Sequence, residues 1–208
     1  MQLYWHRRTL QPSPNPGLST AFIGAKRDDS GVVPVFVLDD SILSRADGLG
    51  VAFMLGSLRK LRDWYRGYGS DLVIQHGDPT DIVSRIARTI GAERVVWNQD
   101  HSQLARQRDR AVQRALTRTG VTYTSVPNDR ATDMRPSTTL PSDPEAYLAN
   151  PHTLGIETRE VPRISDFDEH EYGAAPLTAG TESARKRLRS LSNGTTYRRC
   201  DDTRSFVP

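Results

Sequence analysis

Short apolar runs alternate with stretches of helical periodicity from residue 2 to residue 126, and that alternation constrains the fold of this chain more than any other feature. The strand candidates are Leu3-Tyr4-Trp5, residues 32–38 (VVPVFVL), Leu72-Val73-Ile74, Val95-Val96-Trp97 and residues 121–126 (VTYTSV). Residues 32–38 are almost continuously apolar, as in a strand buried on both faces of a parallel sheet. Pro34 predicts a place near a strand start or an unpaired edge, because it has no N–H for the ladder. Strands that alternate with helices build βαβ units. The chain therefore reads as α/β, with a five-stranded, parallel, doubly wound (Rossmann-like) sheet.

The helices between the strands carry their own start signals. Asn15-Pro16 and Asp78-Pro79 each place an N-cap residue before a proline at the first helical position. Leu18, Ala21, Phe22 and Ala25 recur at helical spacing. Residues 51–68 form the longest helix candidate, with Leu55, Leu58, Leu61 or Arg62, Tyr65 and Tyr68 along one stripe, and such a stripe reads as core. Ile82, Val83, Ile86, Ala87 and Ile90 mark the next buried face. The helix over 102–118 turns Leu104, Ala111, Val112, Ala115 and Leu116 inward and leaves Arg106, Arg108, Arg110, Arg114 and Arg118 mostly towards water. Residues 43–50 read as a polar loop.

Residues 128–179 differ in kind. Six prolines and many Ser, Thr, Asp and Glu side chains give this stretch no period, and it reads as a long linker that either wraps the domain or dangles from it. Residues 181–191 (TESARKRLRSL) form a last, short helix candidate. The divisions expected are thus 1–127, an α/β domain; 128–179, a proline-rich linker; and 180–208, a short terminal segment.

Composition removes several classes of function. No run approaches the ~18 apolar residues of a membrane helix, and the start, MQLYWHRRTL, lacks the apolar stretch of a secretory signal. A single cysteine, Cys200, excludes an internal disulfide and argues against a structural zinc site. The five histidines are scattered without metal-ligand spacing. A cytoplasmic location fits. The net charge of +3 is too mild to imply nucleic-acid binding by itself.

Candidate site residues gather in two places. Asn98, Asp100, His101 and Ser102 sit where the fourth strand feeds a polar turn, and such strand ends hold ligands in open α/β sheets. An ordinary capping turn, with Ser102 as the cap, is the other reading. Arg7 and Arg8 follow the first strand. Arginine suits a phosphate or DNA backbone through its planar, multi-donor head, and equally suits surface pairing with Asp or Glu.

Six stretches, in order, carry a resemblance: YWHRRTLQPSPNPGL, VVPVFVLDD, FMLGSLRKLR, GSDLVIQHGDP, VVWNQDHSQLARQRD and AGTESARKRLRSL. Together they resemble consecutive landmarks of the DNA photolyase/cryptochrome family. The resemblance implies a strand order of 3-2-1-4-5. It covers the family's N-terminal α/β domain, which can carry an antenna chromophore, and the opening of its helical flavin domain. It implies an antenna-type site formed by Arg7, Arg8, Asn98, Asp100, His101 and Ser102. The Asn-Glu pair of folate-binding members falls on Leu104 and Ala105, so a deazaflavin, or no chromophore, is expected in place of a folate.

The chain also departs from the family pattern. The first loop reads Arg7-Arg8-Thr9-Leu10-Gln11 where the family has Arg-Arg-Asp-Leu-Arg. Tyr197 and Thr203 match a tyrosine and a threonine around the family's flavin phosphates, but Arg204 and Val207 stand where serines follow. Flavin adenine dinucleotide is expected only if a separate flavin-binding domain is supplied. The family includes deoxyribodipyrimidine photolyases, and no catalytic residue is assigned to this chain. Two readings stay open: an antenna-type or vestigial, truncated module tied to light-dependent DNA repair or blue-light sensing, with weak unspecific DNA contact; and a stand-alone α/β nucleotide- or DNA-interaction module without chromophore.

Overall fold

The computed structural model describes residues 1–46, 48–127 and 140–166. Five strands form one parallel sheet in the order β3-β2-β1-β4-β5, as expected. The strands are β1 (Gln2–His6), β2 (Val32–Leu38), β3 (Val73–His76), β4 (Arg94–Asn98) and β5 (Thr122–Val126). The helices are α1 (Pro16–Arg27), α2 (Asp40–Leu43), α3 (Gly48–Gly67), α4 (Pro79–Thr89) and α5 (Gln103–Arg118).

Side chains alternate across the sheet and divide the core in two. Leu3, Trp5, Val33, Val35, Val95 and Trp97 pack with the buried faces of α4 and α5. Tyr4, Phe36, Leu38, Ile74 and Val96 pack with α1 and α3 on the other side. Both faces of β1 and β2 are buried, which is why these runs carry no polar alternation. The caps read from the sequence are formed: Asn15 accepts from Leu18 N, Asp78 from Thr80 N and Ser102 from Ala105 N.

Pro34 lies inside β2, which has neighbours on both sides. Its ring is accommodated by register. Val32, two residues earlier and so facing the same way, directs its backbone to Tyr147 and Ala149, and β3 joins β2 only from Val35 onward. The missing N–H of Pro34 thus points to a stretch of edge that β3 has not yet reached.

One expectation is corrected, and one open alternative is decided. Residues 43–50 are not a plain loop: the Asp39 carboxylate caps a helical turn at Ser41 N, and α3 begins at Gly48. Within the expected linker, residues 140–166 run along the β2–β3 side of the sheet. Leu148 bridges Val32 in parallel, Arg159 N donates to Ile74 O, and Ile156 and Val161 are buried. The terminal helix candidate, Cys200, Tyr197 and Thr203 lie outside the described residues.

Candidate functional site

The carboxyl ends of β1 and β2 open into a cavity of about 990 Å³, closed by α2, by the first half of α3 and by the start of α5. This is the edge where open parallel sheets bind ligands, close to the switch between β1 and β4. Phe36, Leu38, Leu43, Phe53 and Met54 make an apolar wall, and among the described residues Arg7, Arg8, Asp39, Asp100 and Arg108 supply charged groups. Its size falls within the ~300–1,000 Å³ of small-molecule sites.

Of the six residues expected at an antenna site, Arg7, Arg8, Asp100 and Ser102 line the cavity. Arg7 is buried, and its Nη1 lies 2.7 Å from the Asp109 carboxylate. Arg8 is exposed and approaches Asp100 at 3.5 Å. Burial works to raise the Asp100 carboxyl pKa, and the Ser102 N–H together with Arg8 and Arg7 outweighs it, so the group lies below its usual range.

Asn98 and His101 are placed elsewhere. Asn98 is buried behind β1, where its amide donates to the Tyr4 hydroxyl at 3.0 Å and to Asn15 Oδ1 at 2.9 Å. Its Oδ1 accepts from Gly17 N at 2.8 Å, and a Cβ on Gly17 would stand 2.6 Å from that oxygen. Asn98 therefore ties the start of α1 to β4. His101 is exposed, and its carbonyl accepts two bonds from the Arg106 guanidinium.

The cavity also contains residues that sequence reasoning did not assign to it. Trp5, His6, Asp39 and Arg108 all line it. Asp109 stands behind Arg7, and Trp97 Nε1 lies 3.4 Å from the same carboxylate. One signal was legible: Ala105, Asp109, Val112 and Leu116 form the buried stripe of α5, and an aspartate on such a stripe calls for a partner. Its partner is 102 positions away in sequence.

His6 is fully buried beneath the cavity. The Thr9 carbonyl, 3.1 Å from Nδ1, can only accept, so Nδ1 carries the proton and Nε2 accepts from the Tyr65 hydroxyl at 2.7 Å. Burial lowers the imidazole pKa to about 4, and the Thr9 contact opposes this only in part. The fold favours neutral His6, so its contribution is complete above the ordinary 6.5 and is lost as pH falls towards about 4. At 1.36 kcal/mol per unit the effect is about 3 kcal/mol. NMR titration is expected to find the His6 ring still neutral at pH 5. A midpoint near 6.5 would contradict the buried, neutral assignment.

Among the described residues, no helix is long and apolar enough to cross a membrane, and no cluster of His, Cys, Asp and Glu is arranged to hold a metal ion.

Comparison with known proteins agrees with this architecture. The family model described as DNA photolyase matches residues 2–147. The chain is 34% identical over 234 residues to the deoxyribodipyrimidine photo-lyase of Halobacterium salinarum, covering 99% of this chain and 49% of that protein. It is 37% identical over 121 residues to the deoxyribodipyrimidine photo-lyase of a Synechococcus species, covering 57% of this chain and 24% of that one. An archaeal photolyase from Sulfolobus tokodaii, solved with two FAD molecules, has the same fold at a TM-score of 0.71 and 20% identity, over 95% of this chain and 47% of its own. The chain thus spans about half the length of the Halobacterium protein or less of these relatives. Strand order, the ligand-sized cavity at the carboxyl edge and a family match over residues 2–147 lead to one conclusion: this chain belongs to the DNA photolyase family.

Proposed function

We propose that this chain is a light-harvesting, antenna-type module of a photolyase-like protein, and that it does not repair DNA by itself. The observation that carries the reading is the cavity: its volume suits a flat tricyclic ring, and its walls are mainly apolar. What such a group supplies when bound is absorption of near-ultraviolet to blue light. A deazaflavin fits better than a folate, because the positions of the folate-binding Asn-Glu pair are Leu104 and Ala105, and both line the cavity. Phe36, Phe53 and Met54 would exclude water from the ring, Arg7, Arg8 and Arg108 would orient its polar edge, and Asp100 would accept a ring or side-chain hydrogen. A separate flavin-binding domain, in the same polypeptide or in another, would receive the excitation, and the cytoplasm is its proposed place of work. Only Tyr197 and Thr203 match flavin contacts of the family, too few to hold flavin adenine dinucleotide in a closed site.

The exposed arginines of α5, Arg106, Arg110, Arg114 and Arg118, favour a secondary reading of weak contact with DNA. Such contact would be unspecific and would weaken steeply with salt.

The test titrates the purified chain with 8-hydroxy-5-deazaflavin, flavin mononucleotide and a reduced folate, reading absorbance and equilibrium dialysis. A ring chromophore is expected to bind stoichiometrically and the folate weakly. Ala46→Trp, which fills the cavity, is expected to lower ring affinity by at least about tenfold, the equivalent of ~1.4 kcal/mol. A colourless protein that binds none of these but is stabilised by a nucleotide would support the chromophore-free module instead. In a second arm, flavin, reductant and blue light are supplied with dimer-containing DNA. Repair above the no-protein control would overturn the non-catalytic reading.

A further inference from the structure

Three aromatic rings follow one another from the cavity to the β5 edge of the sheet. Trp5 lines the cavity. Its ring centre lies 5.8 Å from that of Trp97. Trp97 lies 5.7 Å from Tyr123, and these two rings are stacked at 28°. The sheet makes the succession: β1, β4 and β5 are neighbours, and Tyr123 stands opposite Val95 in register, on the face that carries Val95 and Trp97. Trp5 and Trp97 are buried, whereas Tyr123 is 41% exposed. Ring contacts of this kind pack a core, but a core does not require the series to begin at a cavity and end in water.

The charges along the series are graded. The guanidinium carbons of Arg7 and Arg108 lie 5.1 and 5.3 Å from the Trp5 ring. Their attraction to its electron-rich face turns to repulsion once the ring loses an electron, and burial strengthens that repulsion. Trp97 has the reverse setting, since its Nε1 lies 3.4 Å from the Asp109 carboxylate. The same carboxylate also pairs with Arg7, so its pull on Trp97 is shared. Tyr123, last in the series, is exposed and can give its phenolic proton to water.

We propose that Trp5, Trp97 and Tyr123 form a relay that carries an oxidising equivalent from the cavity to the surface. The natural oxidant is a photoexcited flavin-type ring, and for that identity alone the relay rests on the chromophore reading given above. The ring takes one electron from Trp5 and is reduced by one electron, leaving Trp5 a radical cation. Trp97 returns an electron to Trp5. Tyr123 then returns one to Trp97, loses its proton to water and becomes a neutral tyrosyl radical. A thiol in solution restores Tyr123 by giving it a hydrogen atom. Arg7 and Arg108 set the direction, because they make Trp5 the least favourable place for the positive charge. The relay acts on excitation that stays in the cavity; excitation passed to a flavin-binding domain leaves it idle.

The test uses the full chain with a flavin tethered covalently at the cavity mouth. Phe53 lines the cavity and is exposed, so Phe53→Cys, made with Cys200→Ser, gives one thiol for the label. The tether removes any dependence on ring affinity. A blue laser pulse starts the reaction, and transient absorption with electron paramagnetic resonance follows the tryptophanyl and tyrosyl signals. The tryptophanyl signal is expected to decay as the tyrosyl signal rises. Tyr123→Phe, an exposed change that keeps the stacked ring, is expected to abolish the tyrosyl signal and prolong the tryptophanyl one. Trp97→Phe is expected to abolish the tyrosyl signal and hasten the return of the electron to Trp5. Trp64→Phe is the control: Trp64 packs with Tyr65 and Tyr68 on α3, outside the cavity wall, and the signals are expected to stay unchanged. Thermal melts show which variants remain folded.

A tyrosyl signal that persists in Tyr123→Phe would overturn the relay, as would its absence from the tethered chain or a signal lost with Trp64→Phe. The chromophore reading would survive each of these results, because it stands on the ligand titration.

Discussion

Asp71→Ala is expected to destabilise the fold by about 3–5 kcal/mol, the usual result of removing one partner from a buried ion pair. Arg62 and Asp71 are both 4% exposed, and they meet through two parallel bonds of 2.8 and 3.0 Å. Arg62 lies on the buried stripe of α3, and Asp71 stands just before β3, where its Oδ1 also accepts from Leu72 N at 2.8 Å. Without the carboxylate, Arg62 keeps, among the described residues, the exposed Glu160 and the Arg159 carbonyl as partners. Urea unfolding measures the loss, and a change below about 1 kcal/mol, typical of surface ion pairs, would contradict the buried pair. The acid limb of stability should change as well. Burial works to raise the Asp71 carboxyl, and the Arg62 hydrogen bond and charge, aided by Arg66, outweigh it and hold its pKa low. A depressed carboxyl contributes stability above its ordinary 3.8 that is lost as pH falls through the folded value. The gap between the unmodified chain and Asp71→Asn is therefore expected to narrow in that acid range, not near neutrality.

Asn98→Ala is the second large effect, at about 3 kcal/mol, because truncation leaves the buried Gly17 N without its acceptor and removes two further buried bonds. Gly17 N loses its acceptor, and Asn15 Oδ1 and the Tyr4 hydroxyl each lose a donor. Asn98→Asp should not rescue stability: it can still accept from Gly17 N, but it cannot donate to the other two and buries a charge beside them. Ring affinity, measured on folded protein, is expected to stay within about twofold, since Asn98 is not part of the cavity wall. A large loss of affinity with little change in the urea midpoint would identify Asn98 as a ligand contact instead of a structural one.

The Asn98 result illustrates where sequence reasoning stops. Asn98 was legible as a polar residue at a strand end, and both ligand contact and structural tie fit that description. Which one holds depends on Gly17 and Tyr4, brought together by the crossing of α1 over β1 and β4. Arg108 presents the opposite case. It falls among five arginines of a polar-looking helix, yet it turns towards Asp39 and Trp5, because α5 starts beside the ends of β1 and β2. Residues 140–166 were unreadable for a different reason. Leu148, Ile156 and Val161 are single apolar residues without a period, and backbone hydrogen bonds to the open side of β2 and β3 hold the segment there.

The sequence by itself determined the α/β class, the five strands, the positions of the three helix caps and the sparse polar content of β1 and β2. These follow from short-range causes: side-chain periodicity, cap chemistry, and the backbone limits of proline and glycine. Strand order reached the reading through family resemblance. Only the tertiary structure decided which charged groups share a wall, which asparagine is internal, and that Arg7 finds Asp109 across 102 positions. Those outcomes depend on the right-handed crossovers and on how closely α3 and α5 approach the carboxyl edge of the sheet, distances that no local pattern encodes.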